Sequence, residues 1–172
     1  MGKLVGAALI LGAFSAGGLM TSRDLSRRKQ ILASLQSALG MLATEIAYRA
    51  THLPDALEQV SRTASAPVKS LFAEAGRRLR EAEGQAASEI WLQSLELWLP
   101  ATPLQRSDAE ELARLALGLG AGPREDQLHR IEEVKNRLAC LESEARETET
   151  RMAKVWSYGG VLFGAAVVLA IW

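Results

Sequence analysis

The sequence predicts an all-α protein: a six-helix antiparallel bundle flanked by an N-terminal and a C-terminal transmembrane helix. Three observations predict it. Strong helix formers (Ala, Leu, Glu, Arg and Gln) dominate, and no stretch keeps a period-two alternation for long. Asp, Glu, Lys, Arg and His are absent from Leu4 to Ser22 and again from Val155 to Trp172, so apolar ends enclose a highly charged middle. Within that middle, apolar residues recur at helical spacing and are punctuated by Pro54, Pro67, Pro100 and Pro123. The chain therefore divides into a transmembrane helix over 1–22, a cytoplasmic helical bundle with a long last helix over 23–154, and a second transmembrane helix over 155–172.

The first apolar run is close to the roughly 20 residues that a spanning helix needs, and the second is slightly shorter. Trp156, Tyr158 and Trp172 sit where interfacial aromatics belong. A cleaved signal peptide is the competing reading of the first run. Its length, and the basic helical segment "SRDLSRRKQ" directly after it, favour an anchor instead. No cysteine lies near it, which excludes a lipoprotein. Arg23, Arg27, Arg28 and Lys29 follow the first span, and Arg151 and Lys154 precede the second, against Lys3 alone on the far side. The positive-inside bias then puts the middle in the cytoplasm. Gly2 and Gly6, Ala13 and Gly17, and Gly160 and Gly164 are each four apart, a spacing that lets helix backbones pack closely in lipid.

The first soluble helix continues out of the membrane. Leu25, Leu32, Leu39 and Ile46 repeat every seven residues with Leu35 and Leu42 between them, giving one core-facing stripe. It should end near Ala50, because Pro54 disfavours helix just before it. Pro54 opens a short second helix and Pro67 a third. A fourth carries Ile90, Trp91, Leu95, Trp98 and Leu99 and stops at Pro100. Ser107 and Glu110 have capping-box spacing for a fifth, which Gly118, Gly120 and Gly122 terminate. Pro123 opens a long sixth helix with heptad rows through Ile131, Leu138, Ala145 and Met152, and through Val134, Leu141, Thr148 and Val155. After Leu141 the surface becomes nearly all polar, "ESEARETETR", and is expected to leave the bundle as a stalk.

Few chemistries fit. The charge is balanced, 20 basic against 20 acidic residues, which argues against nucleic acid as a partner. His52 and His129 are far apart and Cys140 is the sole cysteine, so neither a zinc site nor an internal disulfide is expected. "LGLGAG" lacks the lysine and the preceding strand of a phosphate loop. Carboxylate pairs such as Glu110–Glu111 and Glu132–Glu133 fall on solvated faces. His129 reads as a surface or packing residue, and Cys140, beside the Leu138/Leu141 stripe, as a buried structural thiol. No cofactor is expected and the chain does not read as an enzyme. Arg77, Arg78 and Arg80 form either a solvated helix face or a docking patch for an acidic partner.

The segments "MGKLVGAALILGAFSAGG", "EIAYRATHLPDAL", "LGLGAGPREDQ" and "KVWSYGGVLFGAAVVLAI" resemble the stage III sporulation protein AB family over essentially the whole chain. The pieces that carry the resemblance are Glu45-Ile46, Tyr48, Thr51, Leu53, Pro54 and Ala56, then Leu119-Gly120, Arg124-Glu125 and Gln127. This chain departs from the family pattern at His52, where Pro is frequent, at Ala116, where a glycine is usual, and at Pro123, where Asp is usual. Both Asp and Pro start helices.

The resemblance implies a component of the complex that links mother cell and forespore during engulfment. The family's soluble domain is similar to the cytoplasmic domain of type II secretion and type IV pilus inner-membrane platform proteins, which implies docking of a cytoplasmic secretion ATPase, stage III sporulation protein AA. The lipid bilayer, other membrane proteins of the same operon and a homo-oligomer complete the expected partners. The competing reading is a passive membrane scaffold or oligomerisation adaptor without ATPase contact. The candidate docking residues lie on two turns, Glu45, Tyr48, Arg49, Thr51 and Pro54 on one, and Gly118, Gly120, Arg124, Glu125 and Gln127 on the other. Glu45 and Tyr48, one helical turn apart, are expected to share a face. Against docking stands the simpler role of fixtures that hold the bundle together.

Overall fold

The structure, a computed structural model, describes the backbone of residues 2–49, 52–82, 84–120 and 122–171, and the side chains of residues 23–48, 52–82, 84–120 and 122–151. Every regular element among them is helical. In order they are α1 (Gly2–Thr44), a π-helical turn (Glu45–Arg49), α2 (Leu53–Thr63), α3 (Val68–Glu81), α4 (Ala87–Trp98), a 3₁₀ turn (Leu99–Ala101), α5 (Arg106–Arg114), a second 3₁₀ turn (Leu115–Leu117) and α6 (Arg124–Ile171).

The sequence punctuation explains these bounds. Pro54 lies in the first turn of α2, where its missing N–H costs nothing, and Pro67 is the N-cap of α3. The start of α5 differs from expectation. Its cap is Gln105, whose N–H donates to Asp108 Oδ2 at 2.8 Å, two residues ahead of the Ser107/Glu110 pairing. Asp108 wins because it is fully buried and already aimed at this corner by Arg28.

The α1 stripe forms the centre of the core. Leu32, Leu35, Leu39 and Leu42 are fully buried, and Ile46 closes the row. Trp91 of α4 is the largest fully buried side chain among the described residues; its ring meets Phe72 of α3 edge-on at 5.6 Å, and its Nε1–H donates to the Leu112 carbonyl at 2.8 Å. The indole thus buries apolar area without leaving a donor unsatisfied.

Two groups of contacts mark the two ends of the folded region. At one, Arg28 of α1 holds Asp108 of α5, Ser34 meets Ser65 of the α2–α3 turn at 3.0 Å, and Trp98 Nε1–H donates to the Pro67 carbonyl at 2.9 Å. At the other, Gly120 packs against Ala87 at the start of α4 and Leu53 at the start of α2, while Gly118 sits against Arg130 of α6.

α6 does not leave the bundle alone. Ala145 is fully buried, Gln36 Nε2 donates to Glu142 at 3.0 Å, and Lys29 pairs with Glu149 at 2.6 Å. Advancing from Lys29 to Gln36 on α1 matches retreating from Glu149 to Glu142 on α6, seven residues on each helix. The polar stretch after Leu141 therefore stays packed along α1, and its polar residues serve that pairing. Cys140, expected in the core, is exposed, because the row through Leu138 points inward and position 140 does not.

Among the described residues one helical stretch, Arg23–Tyr48, is long and apolar enough to cross a membrane, and it lies near the N-terminus. Its leucines from Leu32 to Leu42 lie in the core of the bundle, packed on the other helices. The packing positions expected in the spans, Gly2, Gly6, Ala13, Gly17, Gly160 and Gly164, lie outside the residues whose side chains are described.

Candidate interaction site

The first candidate turn begins where α1 widens into the π turn. Such one-turn bulges are frequent at functional sites. Ile46 stays in the core, while Tyr48 is 85% exposed. Glu45 is half-buried and lines a groove of about 330 Å³ between α1 and α2 with Gly40, Met41, Thr44, Gln59 and Thr63. The wider turn therefore separates two residues that α-helical spacing would place on one face: Glu45 looks into the groove and Tyr48 into solvent. Thr51 and the Arg49 side chain lie outside the described residues. His52 is exposed, and its carbonyl accepts the Asp55 and Ala56 N–H groups at 3.0 Å, which starts α2. Pro54 is half-buried, with its carbonyl 3.2 Å from where a Cβ on Gly76 would stand.

The second turn is built on glycine for two reasons. Gly120 and Gly122 have φ of +70° and +78°, in the left-handed region that L side chains rarely adopt. A Cβ on Gly120 would also meet the Ala87 Cβ at 2.8 Å, and one on Gly118 the Arg130 side chain at 2.9 Å. Between them Leu119 is buried. Gln127 bridges back to the Gly122 carbonyl at 3.3 Å. Arg124 and Glu125, in the first turn of α6, are exposed.

The two turns are neighbours. Gly120 lies within ordinary contact of the Leu53 side chain, 3.5 Å for its would-be Cβ, and the π turn also touches α6. The candidate residues thus divide by role. Pro54, Gly118, Gly120 and Gln127 hold backbone geometry. Tyr48, Arg124 and Glu125 present side chains to solvent at the same end.

The arginine trio of α3 is consumed internally. Arg77 pairs with Glu74 and Glu81, Arg78 with Glu74, and Arg80 with Asp55 and Glu58 of α2. Hydrogen bonds from Arg77 and Arg78 hold the Glu74 carboxyl at about 2, and Arg80 and Arg62 pull Glu58 below the usual range. A patch whose cations already have carboxylate partners offers little to an acidic partner. No group of three or more His, Cys, Asp or Glu that could hold a metal occurs among the described residues.

Sequence reasoning missed the most buried ion pair among the described residues. Arg28 Nε donates to Asp108 Oδ2 and Nη2 to Oδ1, both at 2.7 Å, with side-chain exposures of 6% and 0%. Its hydrogen bonds to the Asp108 carboxylate raise the Arg28 pKa above its ordinary value, outweighing burial. In the sequence Arg28 sits among flanking cations, and nothing there links it to a residue 80 positions on.

A family model described as stage III sporulation protein AB matches residues 3–172. The chain belongs to the stage III sporulation protein AB family. A curated family member, stage III sporulation protein AB of Bacillus subtilis (strain 168), is 28% identical over 169 residues, 98% of each chain. A solved structure of a stage III sporulation protein AB superposes with a TM-score of 0.68 at 27% identity, covering 73% of this chain and 98% of that one. The residues that carry the family resemblance between Glu45 and Ala56, and between Leu119 and Gln127, are those of the two adjacent turns. Of the family departures, Ala116 is buried and His52 and Pro123 are exposed.

Proposed function

We propose that the chain is a membrane-anchored platform component of the mother cell–forespore secretion-like channel complex in sporulation, and that it docks a cytoplasmic secretion ATPase, stage III sporulation protein AA. It acts by binding and geometry, without bond chemistry. In this reading the six helices form an antiparallel bundle carried by two spans, 1–22 and 155–172, in the mother-cell membrane with the bundle in the cytoplasm. Arg23 and Arg27 carry the orientation signal together with Arg151 and Lys154. Arg28 drops out of that signal, because Asp108 neutralises it inside the fold.

The observation that carries the docking reading is the adjacency of the two turns, with Tyr48 and the first turn of α6 exposed at the end away from the Arg28–Asp108 corner. An exposed aromatic rimmed by charges is the composition of a binding hot spot. The test is association of the full chain, in detergent, with the ATPase at micromolar concentration. No association at that concentration sinks the docking reading.

The second reading, a passive scaffold or oligomerisation adaptor, draws support from the pairing of α1 with α6, which is tied by Ala145, Glu142 and Glu149. Native mass of the detergent-solubilised chain separates the two: a homo-oligomer that ignores the ATPase favours the adaptor, and other membrane proteins of the operon are then its partners.

A further inference from the structure

The two ties between α1 and α6 fix a register that reaches beyond the bundle. Lys29 meets Glu149 and Gln36 meets Glu142, so the helices run antiparallel and advance residue for residue. Both backbones continue as unbroken helix past these ties, α1 back to Gly2 and α6 on to Ile171. Seven residues beyond the Lys29–Glu149 tie, the same register makes Ser22 level with Trp156. Ser22 ends the first charge-free run, and Trp156 is the second residue of the other. The two runs therefore begin at one height. At 1.5 Å per residue that height is about 10 Å past a tie that already holds the helices together.

The sequence along the facing rows fits a continued pairing. Eleven residues make about three helical turns, so a position eleven from a tie falls on the same side of its helix. From Lys29 that position is Gly18, and from Glu149 it is Gly160. The register makes them level, glycine against glycine. Steps of four on both helices keep to the same rows and make Ser22 level with Trp156, and Phe14 level with Gly164. Each level thus sets a large residue against a small one, or two glycines together. In lipid, where apolar burial gives helices no reason to associate, small residues are what let backbones approach. Gly17, one residue off the row, is turned about 100° away and belongs, with Ala13, to another side of α1.

We propose that α1 and α6 stay paired through the bilayer as one antiparallel two-helix unit, with Gly18 against Gly160 as its closest approach. This rests on the anchoring reading above. The two spans then move as a single body, continuous with the bundle. Gly18, Gly160 and Gly164 are used inside the chain, and partners in the membrane meet other sides, among them the one that carries Ala13 and Gly17.

The experiment uses the full chain with Cys140→Ser, reconstituted in vesicles of phosphatidylcholine and phosphatidylglycerol. Cysteines are placed as Gly18→Cys with Gly160→Cys, or as Ala16→Cys with Gly160→Cys, since Ala16 falls on nearly the opposite side of α1 from Gly18. Copper phenanthroline and air oxidise each pair, and mass spectrometry reads the disulfides within and between chains. The first pair is expected to close within single chains at least about tenfold faster than the second, because a disulfide needs Cα atoms within roughly 7 Å. Equal rates in chains that resist alkaline extraction overturn the pairing and leave the anchoring intact. Extraction of the chain by alkali overturns the anchoring itself. Disulfides formed mainly between chains overturn the intrachain assignment and give the two glycines to a second copy. A bulky residue tests how close the contact is. With Leu11→Cys and Val167→Cys, seven residues further along the same rows, Gly18→Leu should slow closure several-fold. An unchanged rate overturns the close approach at glycine.

Discussion

Arg28 and Asp108 show what a buried pair demands of single residues. Both Asp108 oxygens accept from the guanidinium, and Oδ2 also accepts the Gln105 N–H, so the carboxylate is satisfied by one charge and one helix start. Asp108→Ala leaves the guanidinium buried without its partner, and Arg28→Met leaves the carboxylate so. Each is expected to cost about 3–5 kcal/mol, read from denaturant unfolding of the full chain in detergent. The double variant Arg28→Met/Asp108→Leu should cost clearly less than the sum, because no charge is stranded. Losses of single variants within the ~1 kcal/mol of a surface pair would mean that water reaches the site. Sequence could not supply this contact: flanking arginines are common beside membrane segments, and an Asp near a helix start reads as a cap. Cys140 was misplaced for a related reason, since adjacency to a heptad row does not say which side of the helix a residue takes.

At the scale of elements, the prolines and the leucine stripe made most of the fold legible. Pro54 and Pro67 open their helices, and every leucine of the α1 row from Leu32 to Leu42 is fully buried. The π turn and the pairing of α1 with polar α6 were not legible, since both depend on which helix lies alongside. The α2–α3 pair rests on Gly76, where a Cβ would stand 3.2 Å from the Pro54 carbonyl and 3.3 Å from the Leu57 Cβ. Gly76→Leu should push these helices apart and cost about 1–3 kcal/mol. Gly40→Ala makes the opposite comparison. Its Cβ would meet nothing within 4 Å, so the variant should gain about 0.5–1 kcal/mol from helix propensity alone. Equal effects of the two would refute the packing argument. The same helices carry a pH dependence. The Glu74 carboxyl lies at about 2, against 4.5 without its arginines, so its stabilising contribution is complete above about pH 4.5 and is lost as the pH falls towards 2. Glu58 is shifted in the same direction. Thermal unfolding should weaken over that window, less so in high salt because the pairs are exposed, and Glu74→Gln should flatten the decline. A decline of equal depth in Glu74→Gln would move its cause to other carboxylates.

The whole molecule sets two ends against each other, and this decides which site residues can meet a partner. The sequence places all ten candidate residues on two turns, and the backbone brings those turns together. It could not say that Pro54, Gly118, Gly120 and Gln127 are spent on holding the backbone, because that depends on what packs on them. Tyr48 is the residue left with an aromatic ring in solvent, on a π turn held in place by buried Ile46. If this end receives the ATPase, Tyr48→Ala removes a ring that is buried only in the complex. Removal of such an anchor costs 2 kcal/mol or more, so Kd with the ATPase should weaken about 30-fold. Stability of the free chain should stay within about 0.5 kcal/mol, because the ring makes little contact before binding. Leu97→Ala, an exposed change at the opposite end, is the internal control and should leave Kd unchanged. Binding by calorimetry or anisotropy, with unfolding measured on the same samples, reads both quantities. A Tyr48→Ala variant that binds as tightly as the Leu97→Ala control moves the docking surface away from this end. A variant that weakens binding only in proportion to lost stability reduces the two turns to fixtures of the bundle. Weakened binding at unchanged stability is the outcome that neither the fixture role nor the passive scaffold produces.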